Sequence, residues 1–404
     1  MDQNARRKFN QAFTAQKYQQ LLDDVESTFN HIPNFRIAET PVFIDKNLRQ
    51  HLIRACDLIV DEICKPDFKL LTNASIEPDY AVPDEDQHTT FLQLDFAITR
   101  SPEGDLMPML IEAQGFPSLY LYQDLIARKY RQHFDIPAQS SHLLNIDSNG
   151  YHQLLRDIII GDADPKNVVL LEIEPDKQTT RIDFLATEAE MGVKILCISD
   201  LKRSGKDVYY VNDQGKKIDV HRIYNRVIFD ELVARTDLER EFLFSDPVSA
   251  KWVGHPNWFF RISKYTLPLF QNPYVPRTWF LKDLSSLPDD LENYVLKPMF
   301  SFSGSGVVFN VSREAIERTT NLANYILQEK ISYEPVVVTP ASEGMADGGE
   351  SVKCEIRMLM LWPDGADRPL IVNNLARLSK GEMIGVKYNR DKDWVGGTVG
   401  FFLE

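Results

Sequence analysis

Cysteine is scarce in this sequence, and its few occurrences are far apart. The 404 residues contain four cysteines and no C-x-x-C pair, so nothing indicates a disulfide framework. The first residues do not have the pattern of a signal peptide. We therefore expect reduced thiols and a cytoplasmic location. The four cysteines are Cys56, Cys64, Cys197 and Cys354.

Long apolar runs and an excess of basic residues are also lacking. No run approaches the roughly 20 apolar residues that a membrane helix needs. The 45 basic and 59 acidic residues give a net charge of −14, whereas nucleic-acid binding requires a basic footprint that neutralises phosphates. We therefore expect no membrane and no nucleic-acid partner, while a small anionic ligand stays compatible. The length predicts two to three domains with a large core and leaves the oligomeric state open.

Charged side chains interrupt two apolar stretches that together predict a β-hairpin. The alternating pattern predicts strands over Phe91–Thr99 and Leu106–Ala113, joined by the turn Pro102–Asp105. Asp95 lies in the first strand. Glu112 and Gln114 lie at the end of the second and share one face, because side chains two residues apart point the same way.

Two interpretations of this hairpin stay open. Carboxylate and amide oxygens are the ligands that Mg²⁺ prefers, and Mg²⁺ commonly takes one or two protein carboxylates together with substrate phosphates. The three oxygen-bearing groups then form a magnesium site. In the alternative, the hairpin is half-solvated and its polar face simply meets water.

Helical and α/β patterns surround the hairpin. Apolar residues at helical spacing predict amphipathic helices over Asn4–Asn30 and Asn47–Cys64, which we expect to cover the hairpin. From Gly150 onward, strands and helices alternate, which indicates an α/β unit with a parallel sheet. Its predicted elements are the strand Val168–Ile173, the helix Ile182–Met191 and the strand Val193–Ile198, followed by a small hairpin of Val208–Val211 and Ile218–Val220.

Arg226 stands at the end of this α/β unit, in the segment Ile223–Arg226. Its guanidinium is a candidate for holding a substrate carboxylate. An ordinary ion pair with another side chain is the alternative role.

A lysine and a glycine-rich loop follow one another in the second half of the chain. Lys297 lies in the apolar segment Tyr294–Pro298, where burying its charge is costly unless an anion meets it. The next loop can bring backbone N–H groups close to phosphate oxygens, because glycine permits that approach. Its spacing matches neither the P-loop nor the Rossmann fingerprint. The loop residues singled out are Ser303, Gly304, Ser305 and Gly306.

Polar residues also mark two predicted strands near the end of the sequence. Ser351–Trp362 places Glu355 and Arg357 on one strand face, and Leu370–Leu378 carries Asn373, Asn374 and Arg377. The segment Pro340–Gly349 between these regions is either a lid or a plain connector.

Taken in order, these segments resemble the ATP-grasp superfamily over residues 246 to 404. The resemblance rests on SKY around Lys264, YVLKP around Lys297, the loop SFSGSGV, the segment ILQEKI, a strand with Arg357, then NNLARLSKG and a closing N…GG. ATP-grasp chains usually continue into a strand pair that holds two Mg²⁺. Here that pair resembles the early segment with Asp95, Glu112 and Gln114, as in the circularly permuted glutathionylspermidine synthase-like enzymes. Gln114 departs from their usual Asn.

The resemblance implies a role for each residue. Lys264, Lys297 and the glycine-rich loop would hold ATP, and the adenine would lie against Gln328, Glu329, Lys330 and Ile331. Asp95, Glu112 and Gln114 would bind two Mg²⁺. Arg357 and Arg377 would clamp an acyl phosphate, and Asn389, in the closing motif, would contact substrate.

The implied fold is a circularly permuted ATP-grasp fold of the α+β and α/β classes with a Rossmann-like α/β domain. The expected divisions are residues 1–140 (helices and metal hairpin), 141–245 (α/β substrate domain), 246–332 (lobe with the glycine-rich loop) and 333–404 (second lobe).

The implied activity is ATP-dependent ligation. A small-molecule or peptide carboxylate is phosphorylated, and an amine attacks the acyl phosphate. Two alternatives stay open, namely an inactive ATP-binding module that acts through a partner and a phosphotransferase that does not ligate.

Overall fold

The computed structural model describes residues 1–300, 306–340, 349–381 and 395–404. Most of its longer helices begin at a side-chain cap: Asp2, Thr14, Asp45 and Asp147 each accept a hydrogen bond from a backbone N–H of the first turn. The helices are α1 (Gln3–Ala12), α2 (Ala15–Phe29), α3 (Lys46–Ile63), α4 (Phe68–Leu71), α5 (Tyr120–His133), α6 (Ser148–Ile159), α7 (Arg181–Met191), α8 (Phe229–Ala234), α9 (Asn257–Arg261) and α10 (Arg313–Glu317).

The strands lie among these helices along the chain, and several follow one another directly. They are β1 (Val42–Ile44), β2 (Phe91–Arg100), β3 (Leu106–Gln114), β4 (Ser140–Ser141), β5 (Val168–Glu172), β6 (Lys194–Cys197), β7 (Lys202–Ser204), β8 (Asp207–Val211), β9 (Lys217–Val220), β10 (Arg222–Asn225), β11 (Lys251–Val253), β12 (Thr278–Phe280), β13 (Tyr294–Pro298), β14 (Tyr325–Glu329), β15 (Val337–Val338), β16 (Ser351–Leu361), β17 (Leu370–Ser379), β18 (Val395–Thr398) and β19 (Gly400–Leu403).

A long antiparallel sheet joins the predicted hairpin to the end of the chain. Its order is β18-β17-β16-β2-β3, and β15 also pairs with β16. β3 and β17 therefore share one sheet although more than 250 residues separate them, as the permuted chain order predicts. The permutation itself stays a prediction, because this pairing does not test the chain order of any relative.

The two faces of β2 have different characters. Leu92, Leu94, Phe96 and Ile98 pack into a core with residues of α3, whereas Gln93 and Asp95 alternate with them on the opposite face. Both faces of β2 are buried, whereas β3 is partly exposed, so the half-solvated alternative does not hold for β2. The predicted covering helix Asn47–Cys64 corresponds to α3, which packs against β3. α2 packs instead against α5 and α7.

The predicted parallel sheet is present, in the order β11-β10-β5-β6. Its edge strand β11 begins at Lys251, past the expected division at residue 245. Next to it, β7, β8 and β9 form a small antiparallel sheet that includes the predicted hairpin. The parallel sheet packs on both sides, because Leu171 and Ile173 enter one core while Val168 and Leu170 enter another.

Two smaller sheets complete the described fold. β12, β14 and β13 pair antiparallel in that order, and this sheet carries Lys297 on β13. β1, β19 and β4 form the other, which fastens the C-terminal residues to the N-terminal helices. All four cysteines are free thiols. None of the described helices combines the length and apolar composition needed to cross a membrane.

Candidate functional site

The predicted metal hairpin brings its three polar residues to the end of one sheet. Asp95 on β2 pairs directly with Glu112 on β3, and Gln93 pairs with Gln114. Directly paired residues of neighbouring strands point to the same face. Asp95 is 3% exposed and Gln114 is 7% exposed, so both are buried polar groups that need partners.

The two predicted lysines meet this hairpin from another part of the chain. Lys264 begins the 3₁₀ segment Lys264–Leu269, and its Nζ lies 2.9 Å from Oε1 of Glu112. Lys297 Nζ donates to the backbone oxygen of Ile111 at 3.1 Å. Burial lowers the pKa of Lys297 to about 8, although attraction to Glu112 opposes the change. The structure therefore brings both lysines close to Glu112 at the end of β3, although only Lys264 lines the small cavity there.

Gly115 makes this close approach possible. Its backbone N–H donates to the oxygen of Ile262 at 2.9 Å. A Cβ atom there would lie 2.5 Å from the backbone oxygen of Trp258, which is closer than real contacts allow. Glycine therefore lets the end of β3 lie against the segment that leads into Lys264.

Asp95 is held by two arginines. It accepts from Arg357 Nη2 at 2.7 Å and from Arg377 Nη2 at 2.5 Å, and Arg357 Nε binds its other oxygen. Arg357 Nη1 also donates to Gln93 Oε1 at 2.9 Å. Burial alone would raise the pKa of Asp95, but the two arginines hold it below its ordinary value.

A second acidic group continues this row of charges. Glu355 pairs with Arg377 across β16 and β17, and its Oε2 lies 3.5 Å from Arg377 Nε. Tyr333 donates its hydroxyl hydrogen to Glu355 Oε1 at 2.5 Å. Burial raises the pKa of Glu355, which Arg377 opposes. Tyr333 was not singled out from the sequence, where a lone tyrosine outside any motif carries no signal.

The residues fit one divalent ion better than two. Within the described part of the chain, Gln114 Oε1 is buried without a hydrogen-bond partner, as expected of an oxygen that awaits a ligand. Glu112 and Gln114 line the same small cavity beside Lys264. Asp95 does not fit, because the arginines bind both of its oxygens. No group of three His, Cys, Asp or Glu side chains among the described residues could hold a metal ion.

The glycine-rich loop lies mostly outside the described residues, which exclude Ser303, Gly304 and Ser305. Its two ends come together, since Leu296 and Val308 exchange backbone hydrogen bonds of 3.0 and 2.9 Å. Gly306 has a φ of +73°, in the left-handed region that glycine adopts without strain. The described residues before and after the loop are therefore hydrogen-bonded to each other at the strand that carries Lys297.

The residues predicted to receive adenine lie on β14 and just after it. Gln328 Oε1 accepts from Lys297 Nζ at 2.6 Å, which links this strand to the lysine. Glu329 pairs with Arg277 at 2.6 Å, and the backbone N–H of Lys330 donates to Asn293 at 2.8 Å. Ile331 follows and is partly buried. Their role in binding adenine stays a prediction.

The two predicted substrate residues have different outcomes. Arg226 is 2% exposed and forms a buried ion pair of 2.5 Å with Asp183, the alternative role considered for it. Asp183 also accepts backbone N–H groups of Leu119, Leu121 and Tyr122, so the pair fastens the start of α5 to the α/β sheet. A substrate role for Arg226 is untested. Asn389 lies outside the described residues.

Comparisons by sequence find no relative. No protein-family model matches this chain, and none of the curated proteins does. Any likeness to known proteins therefore comes from the three-dimensional structure.

A solved structure, that of a glutathione synthetase-like effector from Globodera pallida in its apo form, is similar over almost the whole chain. The TM-score is 0.59 at 10% sequence identity, with 97% of this chain and 98% of that chain covered. A Methylobacillus flagellatus protein described as a gamma-glutamylcysteine synthetase aligns over 83% of this chain and 84% of its own, at 12% identity. Its TM-score of 0.37 is too low to support an argument. The first comparison shows the fold alone: this chain has a mixed α/β fold similar to that of the glutathione synthetase-like effector.

Proposed function

We propose that this protein is an ATP-dependent ligase that joins a carboxylate to an amine through an acyl phosphate. One observation carries the proposal. Glu112, Lys264 and Lys297 come from three segments of the chain and meet at the end of β3, with Lys264 Nζ 2.9 Å from Glu112 and Lys297 Nζ 3.1 Å from the backbone oxygen of Ile111. Buried charges at this density are costly unless a ligand of complementary charge uses them.

The two lysines suit the phosphates of ATP. Phosphoryl transfer depends mainly on positioning and on stabilising the developing charge. Lys297 lies on β13, which precedes the glycine-rich loop in the sequence, and Lys264 forms an ion pair with Glu112. Fixed ammonium groups in a buried cleft need no rearrangement as charge develops on the transferred group.

Glu112 and Gln114 would hold one Mg²⁺, which when bound offsets the charge of the phosphates. Arg377, 23% exposed at its side chain, would contact the carboxyl group that receives the phosphoryl group. Arginine suits this position because its planar fork matches the oxygens of carboxylates and phosphates.

Nucleotide binding can be tested first and catalytic turnover second. We expect ATP with Mg²⁺ to raise the melting temperature, because a ligand that binds only the native state stabilises it by about 2.7 kcal/mol at 100 times its dissociation constant. Lys297→Met should abolish most of this increase. Lys282→Met, which removes an exposed lysine of the same lobe, is the matched control and should retain it. Equal increases in both variants would remove Lys297 from the site.

Turnover requires pools of substrates because the acid and the amine are not known. The purified protein is incubated with ATP, Mg²⁺, carboxylates and amines, and release of ADP and phosphate is followed with mass spectrometry of the products. Thiol peptides of the glutathione class are the first pool, since the similar structure is described as glutathione synthetase-like. Nucleotide binding without ADP release in any pool would contradict ligation.

A second candidate function is an ATP-binding module that acts through a partner. The arginines bind both oxygens of Asp95, and the described residues contain no three-ligand metal group, which favours this candidate. The two candidates differ in one measurement, because only the ligase releases ADP in proportion to an amide product.

A further inference from the structure

A cleft follows the free edge of the parallel sheet in the α/β unit. β6 (Lys194–Cys197) is the last strand in the order β11-β10-β5-β6 and pairs with β5 alone. All four residues of β6 line a cavity of about 960 Å³ that also reaches α7 and the end of β8. Ligand clefts commonly enclose about 300–1,000 Å³, so this edge cleft is large enough for a ligand. None of its lining residues has a role in the proposed ligase.

The edge cleft lies along the backbone of β6 and not only over one of its faces. Successive side chains of a strand point to opposite faces, and here Leu196 packs into one core while Ile195 packs against another. A cavity above one face would contact every second residue, whereas this cavity contacts all four. In the described part of the chain, the backbone of β6 has hydrogen bonds to β5 only. The N–H and C=O groups on its other side are therefore available to an additional strand.

The charged side chains of the edge cleft leave an acidic excess. Three of its four lysines and arginines, Lys177, Arg181 and Lys202, form ion pairs with carboxylates. The fourth, Lys194, forms none among the described residues. The lining acidic residues that likewise have no ion pair there are Glu188, Asp200 and Asp213. An occupant with positive charge therefore matches the cleft better than an anion such as a nucleotide.

We propose that the edge cleft binds an extended, basic segment of a partner protein, which adds a strand to β6. In this mode of recognition, hydrogen bonds between backbones supply the affinity and alternate side chains supply the specificity. β6 offers about 13 Å of edge, at ~3.3 Å per residue, which a segment of about four to six residues covers. Apolar side chains of the segment would contact Ile195 and Val211, the second of which is 48% exposed. Its basic side chains would face the unpaired carboxylates. The inference concerns a partner and goes beyond the proposed function.

A second copy of this chain fits the edge cleft less well. Pairing of β6 with the same strand of another molecule would place two acidic clefts against each other in a twofold dimer. Each copy also carries a net charge of −14. Like charges that face each other across an interface weaken association. The only charged side chain of β6 is Lys194, its first residue, so the rest of the strand is not protected against a strand of another protein.

The probe is a blocked hexapeptide in which lysine and valine alternate, and its binding to the full chain is measured by titration calorimetry. Two matched peptides separate charge from backbone pairing. One has glutamate in place of lysine. The other keeps the lysines but carries an N-methyl group on every residue, which removes all of its N–H donors. Hydrogen exchange of the wild type with and without the lysine peptide then locates the contact.

Variants of the cleft provide the second arm of the test. Asp200→Lys combined with Asp213→Lys reverses two exposed charges of the edge cleft, and Glu103→Lys, at the exposed tip of the β2–β3 hairpin, is the matched control. We expect the control to bind the lysine peptide as the wild type does. The double variant should bind it about tenfold more weakly, because each exposed ion pair contributes a few-fold in affinity. The glutamate peptide should bind the double variant more tightly than it binds the wild type.

Slower exchange of the β6 amides with the lysine peptide, together with no binding of the N-methylated peptide, would support the inference. Absence of binding of the lysine peptide to the wild type would overturn it, as would equal binding of the N-methylated peptide or unchanged affinity in the double variant. Protection of β6 that depends on protein concentration alone would replace the partner segment by a second copy and so also overturn it. The peptide comparisons use the wild-type chain, so they decide the question even if the double variant does not fold.

Discussion

Replacing Glu172 by glutamine should stabilise the protein, and by an amount that grows with pH. Glu172 ends β5, is 3% exposed and accepts the backbone N–H of Ile173 at 2.8 Å. Burial raises the pKa of this carboxyl from 4.5 to about 8, against the opposing effects of the Ile173 hydrogen bond and Arg226. The native protein therefore keeps a proton on Glu172 at neutral pH that the unfolded chain releases.

The sign follows from the order of the two values. Because the folded pKa of Glu172 lies above the unfolded one, its contribution to stability is complete below pH 4.5 and is lost as the pH rises toward 8. The loss amounts to about 3 kcal/mol at pH 7 and approaches about 5 kcal/mol above pH 9. Glutamine does not titrate and keeps an oxygen for Ile173. Its buried amide hydrogens reduce the benefit, so we expect a net gain of about 2 kcal/mol at pH 7.

The assay is urea unfolding of Glu172→Gln and the wild type between pH 4 and 9, followed by tryptophan fluorescence. Glu103→Gln, an exposed change at the tip of the β2–β3 hairpin, is the control and should differ from the wild type by no more than about 0.5 kcal/mol. A difference between Glu172→Gln and the wild type that stays constant with pH would refute the reasoning, because a lost contact alone has no reason to titrate over this range.

Three further predictions concern Glu112, Lys297 and the contact between His152 and Asp124. Glu112→Ala should lower the ligation rate by a factor of about 10²–10³ while the protein remains folded, because the change removes a group that stabilises charge in the reaction. Gln114→Asn should remain active. Full turnover by Glu112→Ala would exclude Glu112 as a metal ligand. Affinity for ATP should fall as the pH rises through about 8, the pKa to which burial lowers Lys297, and Lys297→Arg should lose this dependence in a binding titration. His152 donates a hydrogen bond to Asp124, which raises the pKa of the imidazole, so His152 should stabilise the fold at pH 6 and lose that contribution as the pH rises above its folded pKa. His152→Gln should therefore lower the melting temperature more at pH 6 than at pH 9.

Local patterns in the sequence were sufficient to predict many elements. Alternation in Phe91–Thr99 and Leu106–Ala113 predicted β2 and β3, and helical spacing in Asn47–Cys64 predicted α3, because side-chain periodicity follows directly from backbone geometry. Lys297 could also be singled out from the sequence, because a lysine within an apolar strand requires a partner wherever that strand lies in the fold.

Partners across long sequence distances were decided only by the tertiary structure. The sequence suggested Asp95 as a metal ligand and left Arg226 open between a substrate carboxylate and an ion pair. The fold places Asp95 between two arginines and pairs Arg226 with Asp183. Charge and spacing along the chain do not specify which opposite charge arrives from 262 residues away, as Arg357 does for Asp95. The oxygens of a carboxylate satisfy whichever donors the packed strands bring to them. The sequence by itself therefore determined which residues need a partner. The packing of β2 against β16, and of the segment after β10 against α7, determined which partner each one has, because a buried charged group must be paired with a group that lies within reach in the folded chain.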